Sequence, residues 1–293
     1  MDTSRPQRRN TALTFAGGGN RAFYQLGLLH RWGERLWPRT AAIAACSAGA
    51  CVVALWLSER ERLVRSFWRA RREGITRNVD PLRPLRGQRI VPHGDIYRDT
   101  LLCMFAEGGL ERIRAQPFPI YVVTARLPPL VPATAAALAG FAAYNLEKRL
   151  RPSMVHPTAG RRIGFRPYVV DARTCESAEE LADLVLASSS SPPFTKIGRF
   201  RGQRLLDGGL IDNVPAWAAE DHPDVDRNLV MMTRPYPPEA LGEHGPRLYV
   251  APTVTPPVDA WDYTQPDKVD ETIELGEREA ELHADALAKL LSR

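Results

Sequence analysis

The chain has 293 residues, 44% of them hydrophobic and 25% charged, enough for one large α/β domain with its own core or for two small ones. Its formal charge is +5, yet lysine occurs only at Lys148, Lys196, Lys268 and Lys289, so the arginine excess is read as compositional bias and no nucleic-acid partner is expected. No stretch reaches the roughly 18 apolar residues of a membrane span, the apolar run after Arg5, Arg8 and Arg9 is too short for a secretory signal, and Cys46, Cys51, Cys103 and Cys175 show neither metal spacing nor a disulfide framework. A cytoplasmic chain with buried, reduced thiols is expected.

Residues 1–10 are polar and read as a flexible tail, leaving residues 11–293 as one domain. Leu13-Thr14-Phe15-Ala16 is a short apolar strand, followed by Gly17-Gly18-Gly19-Asn20-Arg21. Next comes an amphipathic helix on which Ala22, Leu26, Leu29, Trp32 and Leu36 recur near the helical period. Three glycines before a helix leave backbone N–H groups unshielded, which suits an anion. A phosphate loop would need a lysine, and a dinucleotide fingerprint would need glycine where Ala22 stands. Of a phosphate and an oxyanion, the oxyanion is the reading that survives best.

From Ala41 to Leu57 a small-residue apolar run stops at Cys46-Ser47-Ala48-Gly49 and resumes as a helical pattern. A buried strand, a tight turn with a hydroxyl at its tip and a helix make a nucleophile elbow. Ala45, Ala48, Gly49 and Ala50 give the serine clearance, although Ala45 stands where G-x-S-x-G has its first glycine. The helix is expected to continue from Ser58 to Arg72, with Arg60, Arg62, Arg65, Arg69, Arg71 and Arg72 on its polar faces. A solvated surface is the first reading of these arginines. The second is peripheral contact with an anionic membrane surface.

Residues 78–94 are rich in Pro, Gly and Arg and read as a surface loop, with a short helix over 95–114 and a buried strand over Pro119–Ala125. Ala133–Leu146 is alanine-rich; it is read first as a core helix and second as a flap over an acyl site. A strand is expected over Pro167–Asp171, and Ser177 with Glu180 opens a helix in capping-box fashion. That helix ends in Ala187-Ser188-Ser189-Ser190-Ser191-Pro192-Pro193-Phe194. Leu205-Leu206 then carry Asp207 into Gly208-Gly209, which alone is a common turn. Further strands are expected over 228–233 and 247–251. Strands alternating with helices predict a mainly parallel sheet covered on both faces, with its site at the carboxyl ends of the strands.

The order G-G-G-x-R at 17–21, x-S-x-G at 46–49, A-S-S-x-x-P-x-F at 187–194 and D-G-G-x-x-D-N-x-P at 207–215 resembles the patatin-like phospholipase family over about Thr11 to Pro215. A weaker echo is the Leu275-Gly276 pair within Val269–Leu291. Two positions depart by one methyl, Ala45 in the elbow and Ala22 after the glycine loop. The resemblance implies a three-layer α/β/α patatin-like fold and a Ser–Asp dyad, Ser47 as nucleophile and Asp207 as base. It also implies an oxyanion hole from the amides of Gly17, Gly18 and Gly19, joined by Ala48. Gly49, Gly208 and Gly209 support the turns, Arg21 holds the loop or meets a headgroup phosphate, and Asp212 and Asn213 brace the turn of Asp207. Neither metal nor cofactor is called for.

The expected partner is a lipid or other acyl ester, cleaved through an acyl-serine intermediate in the manner of a phospholipase A or lysophospholipase. Acyl transfer, thioester cleavage and a catalytically silent lipid-binding protein are the rivals. Of six histidines only His283 follows Asp207 late enough for the Ser…Asp…His order, and a solvent-facing helical histidine is its preferred reading.

Overall fold

Side chains of a strand point alternately to its two faces, and in this protein that alternation separates large residues from small. The computed structural model describes residues 8–87, 90–192 and 194–292; residues 1–7 of the expected tail, and Pro193 of the serine motif, lie outside them. Of the remaining tail, Arg9 donates to the carbonyls of Trp37 and Thr40 at 2.6 and 3.2 Å, and the Asn10 amide donates to Arg39 O at 3.0 Å.

The chain begins with β1 (Thr11–Phe15), the glycine loop with a 3-10 turn over Gly19–Ala22, and α1 (Phe23–Leu36). β2 (Thr40–Cys46) ends at Ser47, and α2 (Ala48–Ser58) starts at once. The helix does not run on to Arg72 as expected. Glu59 turns left-handed with φ 56°, and a separate α3 (Glu61–Ala70) follows. The helix expected over 95–114 is likewise two, α4 (His93–Phe105) and α5 (Gly109–Arg114), divided at Gly108 with φ 88°. β3 (Ile120–Arg126), α6 (Ala133–Leu150), a single turn α7 (Ala159–Arg162) and β4 (Arg166–Asp171) come next.

Ser177 caps α8 (Ala178–Ser188) by accepting the Glu180 amide at 3.1 Å, while the Glu180 carboxylate reaches back to the Glu176 amide. β5 (Gly198–Phe200), β6 (Gln203–Asp207) and two single turns, α9 (Gly209–Asp212) and α10 (Trp217–Glu220), precede β7 (Arg227–Met231). The chain then forms β8 (Gly242–His244), β9 (Arg247–Val250), α11 (Asp267–Leu282) and α12 (Ala284–Ser292).

Among the described residues nine strands form one sheet in the order β5-β6-β3-β2-β1-β7-β9-β8, with β4 also paired to β3. The run β3-β2-β1-β7-β9 is parallel throughout; β4, β6 and β8 run antiparallel to it, and β5 pairs antiparallel with β6 at the margin. One face carries Leu13, Phe15, Ile43, Ile120, Val122 and Met231 and is covered by α1, α2, α8 and α11. The other offers Ala12, Ala42, Ala44 and Cys46 to α10, while α6 and α9 cover Ala125 and Leu206. The fold is the expected three-layer α/β/α arrangement around a mainly parallel sheet. No helix among the described residues is long and apolar enough to cross a membrane.

Two surface features differ in emphasis from the sequence reading. α6 is not the core helix it was read as. Only Ala136, Ala137 and Gly140 are buried, while Leu138, Leu146 and Leu150 are exposed. Alanine buries little area, so a narrow stripe against Phe165 and Leu210 holds the helix and leaves its remaining faces open. Most of the arginines around α3 are engaged by protein groups. Arg65 pairs with Glu61 and Asp270 at 3.0 and 2.5 Å, Arg69 with Asp267 and Asp270, and Arg60 with Glu107 at 2.8 Å. Arg72 is buried and donates to the carbonyls of Asp262 and Tyr263. Of the four thiols, all free, only Cys46 and Cys175 are fully buried.

Candidate active site

Ser47 and Asp207 are 160 residues apart and are brought together by the edge of β3. β2 runs parallel to β3 and its last pair is Cys46 with Val123. β6 runs antiparallel and its last pair is Asp207 with Thr124. β4 occupies the other edge of β3 over Tyr121–Arg126, so β2 and β6 share one edge and approach each other end to end. Each strand delivers its terminal residue to the same point. Ser47 Oγ donates to Asp207 Oδ2 at 2.9 Å.

The elbow is strained, with Ser47 at φ 52° and ψ −134°, a conformation that costs a non-glycine residue about 1–3 kcal/mol. Ser188 holds it. Its Oγ accepts the Ser47 amide at 2.8 Å and donates to Val123 O at 2.7 Å, tying the turn to β3. Asp207 is buried and receives the Gly209 amide on Oδ1 at 2.7 Å and the Ser191 hydroxyl on Oδ2 at 3.2 Å. The Gly208 amide donates to Ser188 O at 3.1 Å. Burial raises the Asp207 carboxyl from its ordinary 3.8 to about 6, against the opposing pull of the Gly209 amide and the Ser47 and Ser191 hydroxyls. The serine run therefore shapes the pair through Ser188 and Ser191.

The glycine loop lies beside Ser47. Gly17 corrects the expected donor set, because its N–H is given to Asn213 O at 3.0 Å, and its carbonyl accepts Asn213 Nδ2 at 3.0 Å and Thr233 Oγ1 at 2.8 Å. Gly17 anchors the loop. The amides of Gly18, Gly19 and Ala48 are given no backbone acceptor among the described residues. Gly19 opens a 3-10 turn and Ala48 opens α2, positions with no intrahelical acceptor. Gly19 has φ 58°, and a Cβ there would run into Ala260 O, so both its backbone and its surroundings exclude a side chain. Gly49 is buried in the first turn of α2. The two alanine departures are absorbed by the core: Ala45 and Ala22 are both buried in the large apolar cluster.

Ser47 stands where two cavities meet. The inner one is narrow, about 60 Å³, and apolar; Ala48, Val52, Leu55, Val64, Trp68 and Met104 are among its walls. The outer one is wide, about 540 Å³, and holds Asp207 with Asn145, Lys148, Arg21 and Arg234. Trp261 borders both and stacks on Phe194 at 5.5 Å. Leu138, Phe141 and Tyr144 of α6 border the outer cavity, so the helix walls the space beside Asp207 and lines none of the inner one.

Asp212 binds His156 Nδ1 at 2.9 Å and the Val214 amide at 2.9 Å, and His156 Nε2 meets Tyr249 OH at 2.9 Å. Asp212 and Asn213 thus fasten neighbouring loops to the turn after Asp207. Among the described residues Arg21 is bonded to no carbonyl; it pairs with the exposed Asp259 at 3.1 Å. His283 lines neither cavity. It is half-buried and not solvent-facing, and burial lowers its pKa. His93, Tyr97 and Trp261 line the inner cavity and were not foreseen, since their segments carry no motif. Lys148 did leave a trace, as one of four lysines in an arginine-rich chain.

The family model described as Patatin-like phospholipase matches residues 13–220. No curated protein matches the sequence. Among solved structures, the crystal structure of VipD from Legionella pneumophila is similar at 12% identity and a TM-score of 0.42, over 99% of this chain and 67% of that one.

Proposed function

The chain belongs to the patatin-like phospholipase family, and from that membership we propose that it is a serine lipid acyl hydrolase of the phospholipase A or lysophospholipase type, with Ser47 as nucleophile and Asp207 as base. The observation that carries this reading is the 2.9 Å hydrogen bond from Ser47 to a buried carboxylate, at the junction of an apolar and a polar cavity. An amphiphilic ester fits such a junction, with its acyl chain in the inner cavity and its alcohol part in the outer one.

In the acylation step Ser47 Oγ attacks the carbonyl carbon and its proton passes to Asp207 Oδ2. The amides of Gly18, Gly19 and Ala48 receive the charge that develops on the carbonyl oxygen; one such donor is worth about 10²–10³ in rate. The bond to the leaving oxygen then breaks, and Asp207 returns the proton to the departing alcohol. Water repeats the sequence on the acyl-serine, with Asp207 again taking a proton, and releases the fatty acid. A carboxyl raised to about 6 is ionised near neutrality and is a better proton acceptor than an ordinary one.

A fluorophosphonate probe is expected to label the wild type at Ser47 and to leave Ser47→Ala unlabelled. Asp207→Asn is expected to remain folded and to lose ester hydrolysis by three orders of magnitude or more, about the cost of losing a triad member, whereas His283→Ala keeps it. Loss of activity on the histidine change alone would overturn the dyad. Fatty acid release from phospholipids, and its failure to divert to added alcohols, separates hydrolysis from acyl transfer.

A further inference from the structure

Three cations face the outer cavity from three separate elements. Arg21 comes from the turn after the glycine loop, Lys148 from the last turn of α6, and Arg234 from the segment after β7. Among the described residues Asp207 is the only carboxylate bordering the cavity, and it is committed to Ser47. Among the described residues neither Lys148 nor Arg234 has an acidic partner. The Lys148 ammonium sits 5.2 Å from the centre of the Tyr144 ring, and the Arg234 guanidinium lies 4.0 Å over Tyr236 and donates to Pro152 O at 3.2 Å. Arg21 has the exposed Asp259, yet its Nε is buried without a partner.

These cations oppose one another. Lys148 is pushed below its ordinary pKa first by burial and then by Arg234 and Arg21. Among the described residues Lys148 and Arg234 are held at this cavity without an acidic partner, and Arg21 shares only the exposed Asp259, an arrangement that costs stability. A bound polyanion removes that cost. A guanidinium presents forked donors matched to phosphate oxygens, and a lysine adds a compact point charge.

We propose that the outer cavity is an anion subsite for the alcohol part of the substrate, selecting acyl esters that bear a phosphate monoester, of the phosphatidate or lysophosphatidate kind, over esters with a zwitterionic headgroup. This rests on the acyl hydrolase reading above. A phosphate monoester carries about −1.5 to −2 charges at neutral pH, close to the charge of Lys148 and Arg234, neither of which has an acidic partner among the described residues. A choline ammonium in the same place would be set among three like charges. Dispersed over three elements, the cations also fix the headgroup at one distance from Ser47, so the subsite orients the ester as well as attracting it.

The test is competition within one particle. Phosphatidate and phosphatidylcholine of identical acyl composition are held together in mixed micelles of a neutral detergent, so both share one surface potential, and the ratio of their products is read. Wild type is expected to favour phosphatidate. Lys148→Gln is expected to lower the ratio about tenfold, the usual worth of one hydrogen bond to a charged group, and Lys148→Arg to keep most of it. Equal use of the two lipids, or a ratio untouched by Lys148→Gln, overturns the subsite. Inorganic phosphate that inhibits hydrolysis of a short neutral ester in a Lys148-dependent way, without any preference for phosphatidate, assigns the site to free phosphate and likewise overturns it. A wild type that takes fluorophosphonate at Ser47 but shows no preference fails this proposal alone; one that takes no label fails the hydrolase reading beneath it.

Discussion

A carboxylate that must take a proton from a hydroxyl is helped by burial, and the same burial weakens the fold. Asp207 moves from an ordinary 3.8 to about 6 on folding, so the folded chain holds its proton at pH values where the unfolded chain has released it. Below pH ~4 the residue is protonated in both states and costs nothing. Between ~4 and ~6 stability falls as pH rises, and above ~6 the whole cost is present, about 3 kcal/mol for a shift of roughly two units. Asp207→Asn keeps the shape and removes the charge. Its thermal midpoint is therefore expected to exceed the parent's at pH 8 and to converge with it at pH 4, a gain in stability in a variant without activity. A parent more stable at pH 8 would mean that the hydrogen bonds from Ser47, Ser191 and the Gly209 amide outweigh desolvation. Activity of the wild type is expected to rise with unit slope below pH ~6 and level above it.

The glycine loop is held in place by helices as well as by its own bonds. α1 leaves the loop and lies directly on α11, where Gly27 and Gly276 meet: a Cβ on Gly27 would strike Ile273 O, and one on Gly276 would strike Tyr24 O. A buried Tyr24 hydroxyl donates to Glu279 at 2.9 Å across the same contact. Gly27→Ala and Gly276→Ala are each expected to destabilise by about 1–3 kcal/mol, as overpacking does, and the double variant by less than the sum, because either methyl already parts the same two helices. Urea midpoints of the three variants test this; full additivity would mean that the helices separate locally at each glycine. Gly276 was visible in the sequence as half of a Leu-Gly pair, but Gly27 was not, since glycine inside an amphipathic helix reads only as weak propensity. The same limit explains α6. Its composition reads first as a core helix, and what restricts it to a narrow buried stripe is how little of it the distant Phe165 and Leu210 segments cover.

Across the whole molecule, the strands, the elbow and the parallel centre of the sheet were legible because each is a local pattern. The junction of the two cavities was not, because its walls are drawn from α2, α3, α4 and the 260–263 segment, which no spacing connects. Nor was the antiparallel course of β6, without which Asp207 would not face Ser47 end to end. One part of the junction is nonetheless written in helical spacing: Ala48, Cys51, Val52 and Leu55 all border the inner cavity and fall on one face of α2. That face rises away from Ser47 by about 1.5 Å per residue, so Leu55 lies roughly 12 Å along the helix from it and Val52 about 8 Å. If the acyl chain runs along it, a bulky substitution should set a maximum length that depends on its position. Leu55→Trp is expected to lower the ratio of palmitoyl to butyryl p-nitrophenyl ester hydrolysis, on the order of tenfold for every two methylenes excluded at about 0.8 kcal/mol each. Val52→Trp should move the limit to shorter chains. The graded order is what discriminates, because general damage to the site would depress all chain lengths together, and a ratio unmoved by both variants would put the acyl chain outside the inner cavity.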